Sequence, residues 1–330
     1  MAVYNVAPYV RESIDSILNQ TFADFEFLIY NDGSKDDTAA VINTYTDPRI
    51  VFVDSKVNRS VSPNLNEGLA RAKGRYIVRM DGDDIAYPER IARQVAFMET
   101  HPEIGLCGSA VRYIGASNTV VQPPETDAFI QQTLWFQNAF FQPSVIIRAS
   151  VLHANNLQYN TGYELAEDYK LWSDMSFVTK LHNLSEVLLD YRIHPHQISR
   201  RRSLGQQKIS LQIRREQMQR WHIELSAQQQ AVFELLTNSE TWSDLTLANY
   251  RQLVALLDDL LAIARQVGID PHVVQQLLST QWTQLLGAAP RYYLALVPII
   301  LRQPWSRHRS ARANAALLAK CVLRWQVAAK

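Results

Sequence analysis

Three separate groups of acidic residues carry the chemistry that this chain could perform. Asp81-Gly82-Asp83 follows an apolar, strand-like run and precedes a helix expected near Pro88. Alternate residues at a strand end can aim two carboxylates at one place, or one at a sugar hydroxyl and one at a cation. Oxygen ligands with a partly free coordination sphere suit Mg²⁺ or Mn²⁺, which share their shell with substrate phosphates. Gly82 would let a ligand approach the backbone closely. Taken alone, an Asp-rich turn that caps a helix would look the same. Asp32, however, follows an independent strand-like run and would project toward the same sheet edge. Glu167-Asp168 opens an apparent helix, where acids also favour the helix dipole. Three acidic groups in one α/β region are what a metal-assisted transfer from a nucleotide donor needs.

The elements that must position these residues alternate in period. Phe25–Asn31, Ile50–Asp54 and Tyr76–Met80 are compact apolar runs of β-formers. Helix-like stretches lie between them, at Val10–Asn19, Asp36–Tyr45 and Asn64–Lys73. Short strands alternating with short helices predict βαβ units and a mostly parallel sheet with helices on both faces. Ligands of such sheets sit beyond the carboxyl ends of the strands, where Asn31-Asp32-Gly33-Ser34 and Asp81-Gly82-Asp83-Asp84 fall. From residue 204 the chain reads as helices, so a catalytic α/β domain is expected over 1–203 and a helical region over 204–330.

Six segments come in order and at suitable spacing: Val3-Tyr4-Asn5, Ser16–Thr21, Asn31–Asp36, Leu65–Gly68, Arg79–Asp84 and Glu167–Trp172. Together they resemble the family 2 glycosyltransferases of GT-A fold, over about residues 1–200. The resemblance implies a nucleotide-diphospho-sugar donor, UDP-sugar by default, at the sheet's carboxyl edge. By that likeness Asp32 contacts the base and Tyr4 stacks near it. Asp81 reaches the ribose, Asp83 ligates Mn²⁺ or Mg²⁺, and Asp84 supports the loop. Asp168, with Glu167 beside it, is the general base of an inverting displacement.

Other residues are placed on weaker grounds. His194, after the apolar run Val187–Tyr191, is expected to touch the diphosphate or the metal. Asn66 positions the base or the loop before the metal strand, unless it is plain helix-surface polarity. Trp172 offers a flat ring to an acceptor sugar, or fills the core as helix tryptophans more often do. Three features depart from the family pattern. The first strand is nearly absent before Tyr4, which suggests a start upstream of Met1. Asn58-Arg59-Ser60 carries Ser where relatives often have Gly, which sets a bulkier loop and a cation near the base pocket. Gln142 stands where a His often precedes Pro-Ser.

Composition narrows the field. The 330 residues hold 33 Lys+Arg against 32 Asp+Glu, a net charge of +1, so there is no overall pull toward nucleic acid. Cys107 and Cys321 are far apart and outside any CxxC, which disfavours a zinc site or a disulfide framework. No signal peptide is visible, and the longest apolar run, Tyr292–Leu301, is too short for a membrane span of ~20 residues. No acid follows Asp270, while eight Lys and Arg lie from Arg291 to Lys330 among aromatic and aliphatic residues. Such a tail suits an anionic membrane surface, an ordinary solvated face or a nucleic-acid patch, in that order.

The expected protein is thus a cytoplasmic enzyme, peripheral on a membrane, that adds a sugar to a glycan or lipid-linked acceptor. The rival readings are a catalytically silent scaffold of the same fold and a sugar nucleotidyltransferase. No GxGxR phosphate loop supports the latter, and no GxGxxG follows a strand to support dinucleotide binding.

Overall fold

The computed structural model describes residues 1–194 and 203–288. The chain divides into two compact units, Met1–Ile213 and Arg214–Lys330. Unit 1 begins with β1 (Ala2–Val3), α1 (Val10–Leu18), β2 (Phe27–Asp32), α2 (Thr38–Ile42), β3 (Ile50–Ser55) and α3 (Val61–Arg71). It continues with β4 (Tyr76–Val78), β5 (Ile85–Ala86), α4 (Arg90–Thr100), β6 (Ile104–Gly115), β7 (Val120–Val121) and α5 (Asp127–Thr133). It ends with β8 (Ile146–Arg148), α6 (Ala149–Ala154), α7 (Glu167–Met175), β9 (Lys180–Ile193) and the start of α8 (Ser203–Arg220).

The first three strands form a parallel sheet in the order β1-β2-β3. A second sheet runs β4-β8-β6-β9-β5 with β7 beside β6. Its β6–β9 pair is parallel, whereas β4–β8, β6–β8 and β5–β9 are antiparallel. The parallel arrangement expected from the sequence therefore holds for the first three strands and for one long pair. The sheets meet where Ala2 bridges Asp81 in parallel. So β1, only two residues long, stands between β2 and the acidic loop after β4. The Met1 amine donates to the Leu28 carbonyl at 2.8 Å and extends the pairing with β2.

Alternation along the strands separates two cores. Val3, Phe27 and Ile29 pack with Val10, Ile14 and Ile17, which recur at helical spacing on α1. Ala2 faces the other core, with Leu65 of α3, Ile130 of α5 and Leu171 of α7. Pro63 is tolerated in the first turn of α3, where backbone N–H groups have no intrahelical partner.

Unit 2 holds the rest of α8, then α9 (Ala227–Thr237), α10 (Leu247–Gln266) and α11 (Pro271–Ala288). Ser226 with Gln229, and Thr246 with Asn249, form capping boxes that start α9 and α10. Leu253, Leu257, Leu260 and Trp282 are buried there, and Tyr250 meets Trp282 edge-on at 6.1 Å. No helix among the described residues is long and apolar enough to cross a membrane. The basic tail from Arg291 lies outside the described residues.

Gly82 has a packing role. A Cβ there would lie 2.6 Å from Val3 Cγ1 and 3.1 Å from Val6 Cγ2, so the acidic loop rests directly on β1 and the turn after it. Gly82→Ala should lower stability by about 1–3 kcal/mol through overpacking. Adding Val3→Ala should recover part of that loss, because it empties the space the new methyl needs. Thermal unfolding of both single variants and the double variant checks this; strictly additive losses would disprove the contact.

Candidate active site

Asp32 closes β2, and its carboxylate accepts the Arg59 backbone N–H at 2.7 Å. The turn after it is held by Asn31, whose Oδ1 accepts the Ser34 N–H at 3.2 Å. Gly33 sits at φ +73° with a would-be Cβ 2.9 Å from the backbone of Val57 and Asn58, so only glycine fits. Tyr4 lies one residue beyond the Val3–Asn31 pair, as Asp32 does, and is 41% exposed. Its neighbour Asn5 accepts the Lys35 N–H at 2.7 Å and donates its own N–H to Ser34 Oγ at 3.0 Å. An exposed ring and a buried carboxylate thus stand one residue past the same strand pair. The Arg59 guanidinium is tied to Asn64 at 2.6 Å and Glu67 at 3.0 Å.

The acidic loop after β4 is anchored from both sides. Arg79, 3% exposed, donates to Asp81 Oδ1 at 3.1 Å and also interacts with Glu167 and Tyr159. Burial and the neighbouring Asp83 raise the Asp81 pKa against the pull of Arg79. Asp83 Oδ2 lies 3.0 Å from His194 Nε2. Asp84 is buried, accepts the Arg192 N–H on Oδ1 at 2.8 Å, and leaves Oδ2 without a hydrogen-bond partner. Burial first, then Asp83 and Asp81, push its carboxyl well above the ordinary range.

Glu167 and Asp168 occupy the first turn of α7. Asp168 accepts the Tyr169 N–H at 2.7 Å and the Asn138 amide at 2.7 Å. These donors and the helix dipole favour its anion. Burial outweighs them and Asp81 adds repulsion, so the Asp168 pKa is raised. Glu167 is buried, its Oε2 has no hydrogen-bond partner, and burial together with Asp168 raises its pKa as well. The acids after β4 and those at the start of α7 therefore share one electrostatic field.

The sequence profile described as Glycosyl transferase family 2 matches residues 1–151. An uncharacterized glycosyltransferase of Haemophilus influenzae is 34% identical over 229 residues, which is 66% of this chain and 71% of that one. The chain belongs to glycosyltransferase family 2. The O-antigen biosynthesis glycosyltransferase WbnJ of Escherichia coli is 33% identical, over 59% of this chain and 78% of that protein. The same fold is seen in TarS of S. aureus, solved with UDP-GlcNAc, at TM-score 0.59 and 15% identity, over 90% of this chain and 86% of that one.

Two residues of this family 2 enzyme have other tasks than a substrate contact. Trp172 has no exposed surface and packs edge-on against Phe140 and Tyr159, so it fills the core and presents no face to an acceptor. Asn66 accepts the Tyr159 N–H at 2.9 Å and donates to the Tyr159 carbonyl at 2.8 Å. Both ends of its amide thus hold the Tyr159 backbone and not a nucleotide. Sequence reasoning missed Arg79 as a partner of the acids, as well as Asn138 and Tyr159. Arg79 stands two residues before Asp81 on the same strand end, and that spacing was the available signal. Asn138 gave none.

Among the described residues no group of three or more His, Cys, Asp or Glu could hold a metal. Asp83 and His194 bring one carboxylate and one imidazole together at 3.0 Å. Such a pair could hold a cation only with the rest of the shell supplied by water or substrate oxygens, as Mg²⁺ often has it.

Ser60 holds φ 71° and ψ 170°, a region open essentially to glycine, and donates to Glu164 Oε1 at 3.0 Å. Ser60→Gly should relieve about 1–3 kcal/mol of strain. Part of that gain is offset by the lost hydrogen bond and by the freer unfolded chain. A rise in melting temperature of about 2–4 °C per kcal/mol is expected, and a fall would contradict the strain.

The raised Glu167 pKa also fixes a sign. A carboxyl held above its unfolded value, ~4.3 for Glu, contributes stability that is complete below that pH and is lost as pH rises through the folded value. Glu167→Gln should therefore raise the melting temperature more at pH 8 than at pH 4.5. Scanning calorimetry at the two pH values is decisive, since an equal change at both would refute the shift.

Proposed function

We propose that this enzyme transfers a sugar from a nucleotide-diphospho-sugar to a hydroxyl of a glycan or lipid-linked acceptor, with inversion, in cell-surface polysaccharide synthesis. The observation that carries this reading is the placement of Asp32 at the end of β2 and of Asp81 after β4, on either side of β1, with Asp168 close enough to Asp81 to feel its charge. The polysaccharide context is supported by WbnJ, named for O-antigen biosynthesis. The UDP-sugar default is supported by the TarS fold, solved with UDP-GlcNAc.

In this reading Asp32 and Tyr4 hold the base, and Asp81 takes the ribose. Asp83 and His194 would hold a divalent cation, which supplies charge stabilisation for the departing diphosphate. Asp168 accepts the proton of the acceptor hydroxyl while that oxygen bonds to the sugar's C1. The bond from C1 to the diphosphate oxygen breaks on the opposite face, and its electron pair leaves with the nucleotide. One carboxylate base and one displacement give an inverted anomeric centre. Burial suits Asp168 to this task, because a base with a raised pKa binds the proton more strongly. The basic tail beyond Arg291 is the segment that would meet an anionic membrane, and vesicle co-sedimentation of the full chain tests it.

Thermal unfolding with UDP, GDP and dTDP, with and without Mn²⁺, should show one nucleotide raising stability in a metal-dependent way. Saturation at a hundredfold excess over Kd corresponds to about 2.7 kcal/mol. Asp83→Ala should abolish the metal dependence. With the matching donor, Asp168→Asn should lower kcat by about 10²–10⁴-fold with little change in donor binding. Activity of the wild type should rise with pH through a value above the ~3.9 of an ordinary Asp. A product that retains the donor's anomeric configuration would overturn the single displacement. Full turnover by Asp168→Asn would overturn the role of the base.

A further inference from the structure

We propose that Arg192 is a positioning residue that sets the angle between Asp83 and His194, and so tunes divalent-cation affinity from outside the coordination shell. The proposal rests on the reading of Asp83 and His194 as cation donors. The loop from Asp81 to Asp84 carries three carboxylates and a glycine, so nothing within it fixes its shape. The antiparallel pairing of Ile85 with Asp190 brings Arg192 opposite Asp83. The Arg192 side chain donates from Nε to the Asp83 carbonyl at 2.7 Å, while its backbone N–H donates to Asp84 Oδ1 at 2.8 Å.

The guanidinium then reaches α1. Its Nη2 donates to Glu12 Oε2 at 2.6 Å, and its carbon sits 4.8 Å from the centre of the Tyr9 ring. Tyr9 also meets His194, with ring centroids 4.9 Å apart. His194 in turn closes on Asp83 at 3.0 Å. Asp83, Arg192, Tyr9 and His194 therefore form a closed circuit of four contacts. Ser13 of α1 fastens the same loop from below by donating to the Asp84 carbonyl at 2.6 Å. Partners of this kind, which orient metal-binding side chains without touching the metal, commonly change affinity by about 10–100-fold when removed.

The sign of the effect separates positioning from charge. Arg192 is a cation beside a cation site, so on Coulomb grounds its removal should tighten binding of a divalent ion. Positioning predicts the opposite. The probe is Mn²⁺ itself, with free ion measured by electron paramagnetic resonance during titration of the full chain, alone and with UDP, GDP or dTDP.

Arg192→Ala should weaken Mn²⁺ binding by about 10–100-fold, and Tyr9→Leu should weaken it less. Arg192→Lys, which keeps the charge but not the fork, should fail to restore wild-type affinity. Unchanged or tighter binding in Arg192→Ala, or full rescue by Arg192→Lys, overturns the proposal while wild-type Mn²⁺ binding leaves the cation reading standing. Absence of Mn²⁺ binding by the wild type, with every nucleotide, overturns that reading and the proposal together. Should Arg192→Ala fail to fold by circular dichroism, Tyr9→Leu carries the test alone, and unchanged affinity in it overturns the proposal.

Discussion

The structure of the site depends on holding like charges close together at a partly buried edge. Asp81, Asp83, Asp84, Glu167 and Asp168 lie at one edge of the sheet, and every shifted carboxyl among them is shifted upward. Two carboxylates in such surroundings repel strongly, since the effective dielectric is well below that of water. One compensating charge is the buried Arg79, bonded to Asp81 and within reach of Glu167. Arg90, fully buried behind it, donates to the Arg79 carbonyl at 2.7 Å and so fixes the strand that carries both Arg79 and Asp81. A buried guanidinium left unpaired would be costly, so cation and acids stabilise one another's burial.

This charge cluster constrains the fold around it. Two residues of β1 join the two sheets, and the side of β1 that faces the acidic loop leaves room only for a glycine at 82. The turn after β1 is stitched to the loop after β2 through Asn5, Ser34 and Lys35. The approach to α1 therefore fastens the end of β2 near Asp32. Further along, α1 itself fastens the loop of Asp83 and Asp84 through Ser13 and, by way of Arg192, through Glu12. Both acidic strand ends are thus registered on one short helix, whose Val10, Ile14 and Ile17 are sunk in the core beneath. Precision at the polar end follows from close packing at the apolar end.

Much of this was legible in the sequence because it is local. The strands Phe27–Asp32 and Ile50–Ser55 show as compact β-rich runs, and the polar groups that follow them fall at strand ends. What could not be read locally is what arrives from far away. Whether a strand pairs parallel or antiparallel depends on its partner, so the mixed character of the second sheet was invisible. Trp172 and Asn66 have residue types that suit either a site or a core, and burial decides between them only once the neighbours are known. Trp172 meets Phe140 and Tyr159, and Asn66 meets the Tyr159 backbone. Asn138 reaches Asp168 across 30 residues with no motif around it. Ser60 marks the reverse situation: the departure from glycine was visible, but its positive φ was not.

The arrangement also carries a cost in stability. Glu167 and Asp84 each keep a buried carboxyl oxygen without a hydrogen-bond partner, a condition that costs free energy. Replacing these acids with apolar residues would pack better, yet would remove the carboxyls that flank Asp83 and Asp168. The unfavourable field is therefore most intense where ligands of opposite polarity would relieve it. Binding then draws on two sources, the contacts made and the repulsion removed. Any ligand that prefers the folded site stabilises the fold by the same free energy. Stability and recognition are in this way properties of one set of carboxylates, and neither can be changed without moving the other.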